Sequence, residues 1–154
     1  MKHLSPTPKL SIVIPCYNEQ HNIPLILDRF AAALNIPGAP AIEVIMVNNG
    51  STDTSATVFQ ELCPQYPFVK QVHVKVNQGY GFGILSGLRA ASGEYLGWTH
   101  ADLQTDPHDV MRAYSIIEQQ GFPTTIFVKG NRQNRPLFDE FFTVGMSCFE
   151  TLYL

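Results

Sequence analysis

The sequence predicts an α/β layered fold with a mostly parallel sheet. Short β-branched runs alternate with segments of helical periodicity five times along the chain, and each apolar run opens into a polar loop. The 11 glycines and 11 prolines are spread through the 154 residues, punctuating that alternation without forming low-complexity tracts. In such folds ligands sit at the carboxyl ends of the strands, where these polar loops lie.

Leu10 to Pro15 (L-S-I-V-I-P) reads as a buried strand ended by proline, followed by the polar turn C-Y-N-E-Q. From Asn22, taken as a cap, Ile23, Leu27, Phe30 and Leu34 fall at helical spacing, with Pro24 tolerated in the first turn. Ala41 to Val47 is a second strand opening into the turn formers Asn48 to Asp53, and a helix starting near Asp53 carries Ala56, Phe59 and Leu62 inward. Val72, Val74 and Val76 alternate with polar residues from Val69 onward, predicting a third strand with one wet face. The glycine-rich stretch Asn77 to Gly87 leads into a helix with Leu85, Leu88 and Ala91. Tyr95 to Thr99 is the fourth strand, His108 to about Gln119 the next helix, and Thr124 to Val128 a fifth strand with the basic exit K-G-N-R-Q-N-R-P. The expected layout is a tail over 1–9, an α/β domain over 10–135 and an apolar helical segment over 136–154.

Bulk properties narrow the function. A length of 154 residues suits one domain with a real core, and 45% hydrophobic with 15% charged residues is globular composition. The net charge of −3, without a basic block, argues against a nucleic-acid partner. Cys16, Cys63 and Cys148 lack zinc or disulfide spacing, so a reducing cytoplasm is the expected compartment. The N-terminal stretch has no signal-peptide core, and no run reaches the roughly 18 apolar residues that span a bilayer.

The richest stretch is Tyr95 to Pro107, Y-L-G-W-T-H-A-D-L-Q-T-D-P, where a strand runs into a carboxylate-bearing loop and then a helix start. Asp106, Pro107 and Asp109 have the order of cap, first helical residue and dipole partner, which leaves Asp102 and Gln104 free. Oxygen ligands on an extended loop suit a hard cation, Mg2+ or Mn2+; the competing reading is that Asp102 caps a turn. Glycines at 79, 81 and 83 do not form a dinucleotide fingerprint, because Ile84 stands where the third glycine belongs; they bind phosphate or simply shape a turn and helix packing. Arg132 and Arg135 either contact phosphate oxygens or stay solvated.

Four segments together, S-I-V-I-P-C-Y-N-E (11–19), V-N-N-G-S-T-D (47–53), N-Q-G-Y-G (77–81) and H-A-D-L-Q-T-D-P (100–107), resemble the successive motifs of family 2 glycosyltransferases. The subgroup they look most like is that of the dolichol- or polyprenyl-phosphate sugar transferases. The resemblance implies a GT-A-like (Rossmann-like) three-layer fold, a UDP- or GDP-type sugar donor, Mn2+ or Mg2+, inversion at the sugar, and a polyprenyl-phosphate or saccharide acceptor. It places Pro15, Tyr17 and Glu19 against the nucleoside and Asn48 and Asp53 around base and ribose. Gly79 and Arg132 complete the candidate donor-binding set. Asp102 is the candidate catalytic residue, and Asp102, Gln104 and His100 are the candidate metal ligands. Asp53 has a competing role as a helix cap, and Tyr17 as a packing residue.

Two departures from the family pattern matter. The loop usually begins with Asp where this chain has His100, which as a ligand favours Mn2+ and otherwise stands behind the metal or in solvent. Asn48 replaces a common Asp and both donates and accepts, so it does not fix which base is read. The expected fold is incomplete at its C-terminus, because members continue into an acceptor-binding half. The other readings are a nucleotide-binding scaffold without turnover, and a self-associating or peripheral membrane-contact face built from Phe141, Phe142, Phe149, Leu152 and Tyr153.

Overall fold

Strand β1 (Leu10–Cys16) is buried along its whole length and forms the spine of a parallel sheet in the computed structural model, which describes residues 7–130. The remaining elements are α1 (Asn22–Leu34), β2 (Ile42–Asn49), α2 (Ser55–Leu62), a short 3-10 turn over Cys63–Gln65, β3 (Val69–Val74), α3 (Tyr80–Ala90), β4 (Tyr95–Trp98) and α4 (Pro107–Gln119). The sheet order is β3-β2-β1-β4. Leu10 to Cys16 lie in register with Ile42 to Asn48 of β2, and Leu10 to Val13 with Tyr95 to Trp98 of β4.

Alternation along the strands sorts side chains into two layers. Leu10, Ile12 and Ile14 with Val44 and Met46 pack against Ile23, Leu27 and Phe30 of α1 and Phe59 of α2, joined by Val110 and Tyr114 of α4. Val13, Ile45 and Val47 face the opposite way, onto Leu88 and Ala91 at the end of α3. Helices therefore cover both faces, as the alternating sequence pattern requires. Each fully buried side chain of this size contributes about 1.5–3 kcal/mol relative to exposure.

Helix α3 approaches the sheet closely because it presents glycine to it. A Cβ on Gly87 would run into Val13 and Val47, and one on Gly83 would meet the Asn49 side chain and Pro15. Of the two readings left open for the glycine-rich stretch, helix packing has direct structural support at Gly83 and Gly87, whereas a Cβ on Gly79 or Gly81 would meet nothing.

Several sequence expectations need correction. Asn22 is the first residue of α1 rather than its cap: its amide and that of Ile23 both donate to the Glu19 carbonyl, and its side chain donates to Glu19 Oε2 at 2.6 Å. Strand β2 continues through Asn48 and Asn49, where the sequence predicts a turn, because the ladders to Cys16 and Val74 satisfy their backbones. Strand β3 stops at Val74, and Val76 stands 69% exposed beyond it. The fifth strand expected over Thr124 to Val128 is not formed: 124–130 carry no regular structure and Phe127 is 78% exposed. β-branched residues favour a strand only where a neighbouring ladder takes up their backbone groups. The chain forms two units, Met1–Pro123 and Thr124–Leu154, of which the second is described over 124–130 alone. Cys148 and the apolar segment 136–154 lie outside the described residues.

Candidate functional site at the β1–β4 switch point

Strand order reverses at β1: the chain leaves β1 towards β2 on one side and returns from β3 to β4 on the other. The loops leaving β1 and β4 part company there and open a crevice. A cleft of about 360 Å³ occupies this point, lined by Pro15, Cys16, Tyr17 and Glu19 from β1 and its loop, and His100, Ala101 and Asp102 after β4. Asn49 at the end of β2 and Asn77, Gly79 and Tyr80 leading into α3 complete the wall. Four of the five polar clusters that follow apolar runs in the sequence thus meet in one place.

The loops after β1 and β2 are stitched into one body. Asn18, in a left-handed conformation with φ of 59°, accepts on Oδ1 from the amides of Thr52 at 2.8 Å and Asp53 at 3.3 Å. In return Ser51 Oγ accepts from Asn18 N, Ser55 Oγ from Glu19 N, and Asp53 Oδ2 from Gln20 N. Asp53 Oδ1 accepts from Ser55 N at 2.9 Å, the helix-start role that competes with ribose binding. Burial alone would raise the Asp53 carboxyl, yet hydrogen bonds from Ser55 and Gln20 outweigh it and hold the group below its ordinary value.

The two asparagines of β2 separate by alternation. Asn48 is buried, and its Oδ1 accepts from Ser51 N at 3.1 Å, closing the turn. Asn49 is 3% exposed, lines the cleft and donates through Nδ2 to the Gly79 carbonyl at 3.1 Å. Its Oδ1 is buried with no hydrogen-bond partner among the described residues. That is a standing acceptor, costly to leave unpaired and satisfied by a ligand N–H or O–H. Sequence reasoning named Asn48 and passed over Asn49; extending β2 by two residues would have put the odd-numbered position on the α3 side with Val47.

The loop after β4 is pinned at its neck by a 2.6 Å hydrogen bond between the Thr99 and Thr105 hydroxyls and by Arg29, which donates to the Leu103 carbonyl at 3.3 Å. Leu103 has φ of 62°, a turn the loop adopts between these ties. Asp106 caps α4 as expected, accepting from His108 N, and hydrogen bonds from His108 hold its carboxyl below the ordinary value. Asp102 Oδ1 accepts from Gln104 N at 3.0 Å, a turn-closing bond that leaves Oδ2 without a protein partner among the described residues. His100 stacks on Tyr80, whose hydroxyl meets its Nδ1 at 3.1 Å. Burial pushes the Tyr80 phenol up, and the negative charge of Asp102 adds to the effect.

Of the candidate residues, Pro15, Tyr17, Glu19, Gly79, His100 and Asp102 line the cleft, and Tyr17 is 45% exposed rather than packed into the core. Asn48, Asp53 and Gln104 are not in its wall. Arg132 and Arg135 lie outside the described residues. Among the described residues no three His, Cys, Asp or Glu side chains cluster as a self-sufficient metal cage. The Asp102 carboxylate and the His100 imidazole, both in the wall of the cleft, nevertheless suit a divalent cation that completes its shell with ligand phosphates and water. Cys16 offers no nucleophile, because burial pushes its thiol far up; Cys63 is pushed up to about 11 by the same cause.

This sheet order with a switch-point cleft is the fold of the GT-A glycosyltransferases. S. aureus TarS 1–349 matches it with a TM-score of 0.61 at 23% identity, over 73% of this chain and 33% of that one. Mannosyltransferase PcManGT from Pyrobaculum calidifontis, in complex with GDP-Man and Mn2+, matches with a TM-score of 0.55 at 26% identity, over 62% of this chain and 28% of that one. Residues 11–144 match the family described as "Glycosyl transferase family 2", and the chain belongs to that family. It is 35% identical over 136 residues to undecaprenyl-phosphate 4-deoxy-4-formamido-L-arabinose transferase of Serratia proteamaculans, which covers 87% of this chain and 41% of the relative. The chain thus spans about two fifths of that curated relative's length.

Proposed function

We propose that this chain is the donor-binding part of an inverting, metal-assisted glycosyltransferase that passes a sugar from a nucleoside diphosphate to a polyprenyl phosphate. The observation that carries this reading is the cleft itself, with Asn49, Asp102 and His100 converging on the β1–β4 switch point. The naming of the relatives as undecaprenyl-phosphate sugar transferases supports the acceptor class, and the GDP-Man and Mn2+ complex of the mannosyltransferase supports donor and cation.

In this reading Asp102, through its unpartnered oxygen, and His100 hold Mn2+ or Mg2+. The bound ion supplies Lewis-acid stabilisation to a departing diphosphate. Asn49 Oδ1 accepts a hydrogen from the nucleoside, and Tyr17 offers its ring beside it. The α3 N-terminus at Tyr80 presents its backbone amide to phosphate oxygens, the Gly79 amide being taken by Asn77 Oδ1 at 2.7 Å. The acceptor's anionic oxygen forms the bond to the anomeric carbon while the bond to the diphosphate breaks and the nucleotide leaves with the electron pair. A phosphate nucleophile is already ionised, so no strong general base is required. No helix among the described residues is long and apolar enough to cross a membrane. We place the chain in the cytoplasm, with peripheral membrane contact at the site of a lipid-linked acceptor.

Calorimetry with UDP and GDP, each with and without Mn2+, tests the reading. One nucleotide should bind in a metal-dependent way, and Asp102→Asn should weaken it at least tenfold, about 1.4 kcal/mol. No metal-dependent binding of either nucleotide would overturn the proposal. A second reading, a nucleotide-binding scaffold without turnover, is favoured by Asp102 being, among the described residues, the one carboxylate after β4 that lines the cleft; nucleotide binding without sugar transfer or donor hydrolysis would select it.

A further inference from the structure

His100 and Tyr80 come from different elements, the loop after β4 and the first residue of α3, and they meet face to face. Their ring centroids are 5.1 Å apart with planes 5° from parallel, and the Tyr80 hydroxyl is 3.1 Å from His100 Nδ1. Both rings line the cleft that Asp102 lines. Nε2 of the imidazole has no hydrogen-bond partner among the described residues.

A stack alone proves little, since an aromatic contact of this kind contributes about 0.5–1.5 kcal/mol wherever it occurs. Two further features give it direction. The contact allows the tautomer a ligand needs: with the hydrogen on Nδ1 beside the phenol oxygen, the lone pair sits on Nε2, the form in which an imidazole binds a metal, whereas a phenol donating to Nδ1 would leave the hydrogen on Nε2. The backbone before Tyr80 is built to place that ring, because Gly79 holds φ of 97° and ψ of 165°, a conformation essentially reserved for glycine.

We propose that Tyr80 is a positioning residue that holds His100 as a nitrogen donor to the cation, giving the site a preference for Mn2+ over Mg2+. The inference rests on the donor-binding reading above. Its chemistry is the mismatch between an imidazole and Mg2+, which prefers oxygen ligands and keeps its water, whereas Mn2+ accepts nitrogen. Without the phenol hydroxyl, Nδ1 loses its partner and the ring is free to turn Nε2 away from the cleft.

The test titrates Mn2+ into the full chain with saturating UDP or GDP, following the free-ion signal by electron paramagnetic resonance, with Mg2+ as competitor. Pulsed measurements on the bound ion look for the coupling of an imidazole nitrogen. Wild type should show that coupling, and His100→Ala should lose both the coupling and the Mn2+ preference. Tyr80→Phe keeps the stack and should lower Mn2+ affinity about tenfold, with Mg2+ affinity changed less than about twofold. His100→Asp should shift the preference towards Mg2+. Absence of nitrogen coupling in a wild-type ternary complex overturns the inference without any variant. So does a Tyr80→Phe protein with unchanged Mn2+ affinity and coupling. If wild type binds no nucleotide with any cation, the donor-binding reading itself has failed, which is a separate result.

Discussion

Asn49 concentrates the residue-scale argument. Its Nδ2 donates to the Gly79 carbonyl, which also accepts from Gly83 N at 3.3 Å, so truncating the side chain strands no partner. Removing an oxygen that has no partner relieves a desolvation cost of about 1–3 kcal/mol, close to what the lost donor bond and packing cost. Asn49→Ala should therefore change stability in urea by less than about 1 kcal/mol while weakening nucleotide binding about tenfold, measured by calorimetry. A large loss of stability with unchanged binding would make the side chain purely structural. The sequence pointed at the neighbouring asparagine because V-N-N-G reads as the start of a turn. Only the ladder of β2 to Cys16 and Val74 shows that the pair still alternates, one side chain to each face. Asp102 and Asp106 were legible because their order relative to Pro107 is itself a helix-start signal. Tyr80 was not, since nothing local in N-Q-G-Y-G says that its ring will meet a histidine twenty residues on.

At the scale of elements, α3 is the case where glycine placement sets the geometry. Gly87 lies where a methyl group would overlap Val13 and press on Val47, whereas Gly81 faces open space. Gly87→Ala should destabilise the protein by about 1–3 kcal/mol through overpacking. Gly81→Ala should stabilise it by up to about 1 kcal/mol through helix propensity. Urea denaturation followed by circular dichroism measures both, and equal effects would remove close packing as the explanation. Strands β1 and β2 were readable as continuous apolar runs because both faces of each are covered. The run Thr124 to Val128 is likewise rich in β-branched residues and forms no strand among the described residues, since propensity cannot supply a ladder partner.

For the whole molecule, acid sensitivity follows from how the loops are tied. Asp53 and Asp106 both have carboxyls held below their ordinary value by hydrogen bonds. A depressed folded-state value means the stabilisation is fully present above the unfolded value of about 3.9 and is lost as pH falls through the lower folded value. Melting temperature should thus be flat from neutral pH to about 5 and fall below about 4, and Asp53→Asn should shallow that acid limb. A variant with the wild-type slope would show that Asp53 does not couple folding to protons. The convergence of loops on one crevice could be anticipated from the order of elements, but the position of the crevice could not. That required the strand order, which no stretch of sequence encodes alone.

The cleft sits astride a seam between unequal partners. β1 is buried throughout and paired on both sides, whereas β4 is the outer strand of the described sheet, held to β1 over four residues with every second side chain exposed. A molecule spanning the cleft would bridge that seam like a clasp, joining the buried spine of the sheet to its half-exposed outer strand. Occupancy would then be felt most by the amide protons of β4, whose exchange with solvent it would slow, more than by any group in the fully buried, doubly paired β1.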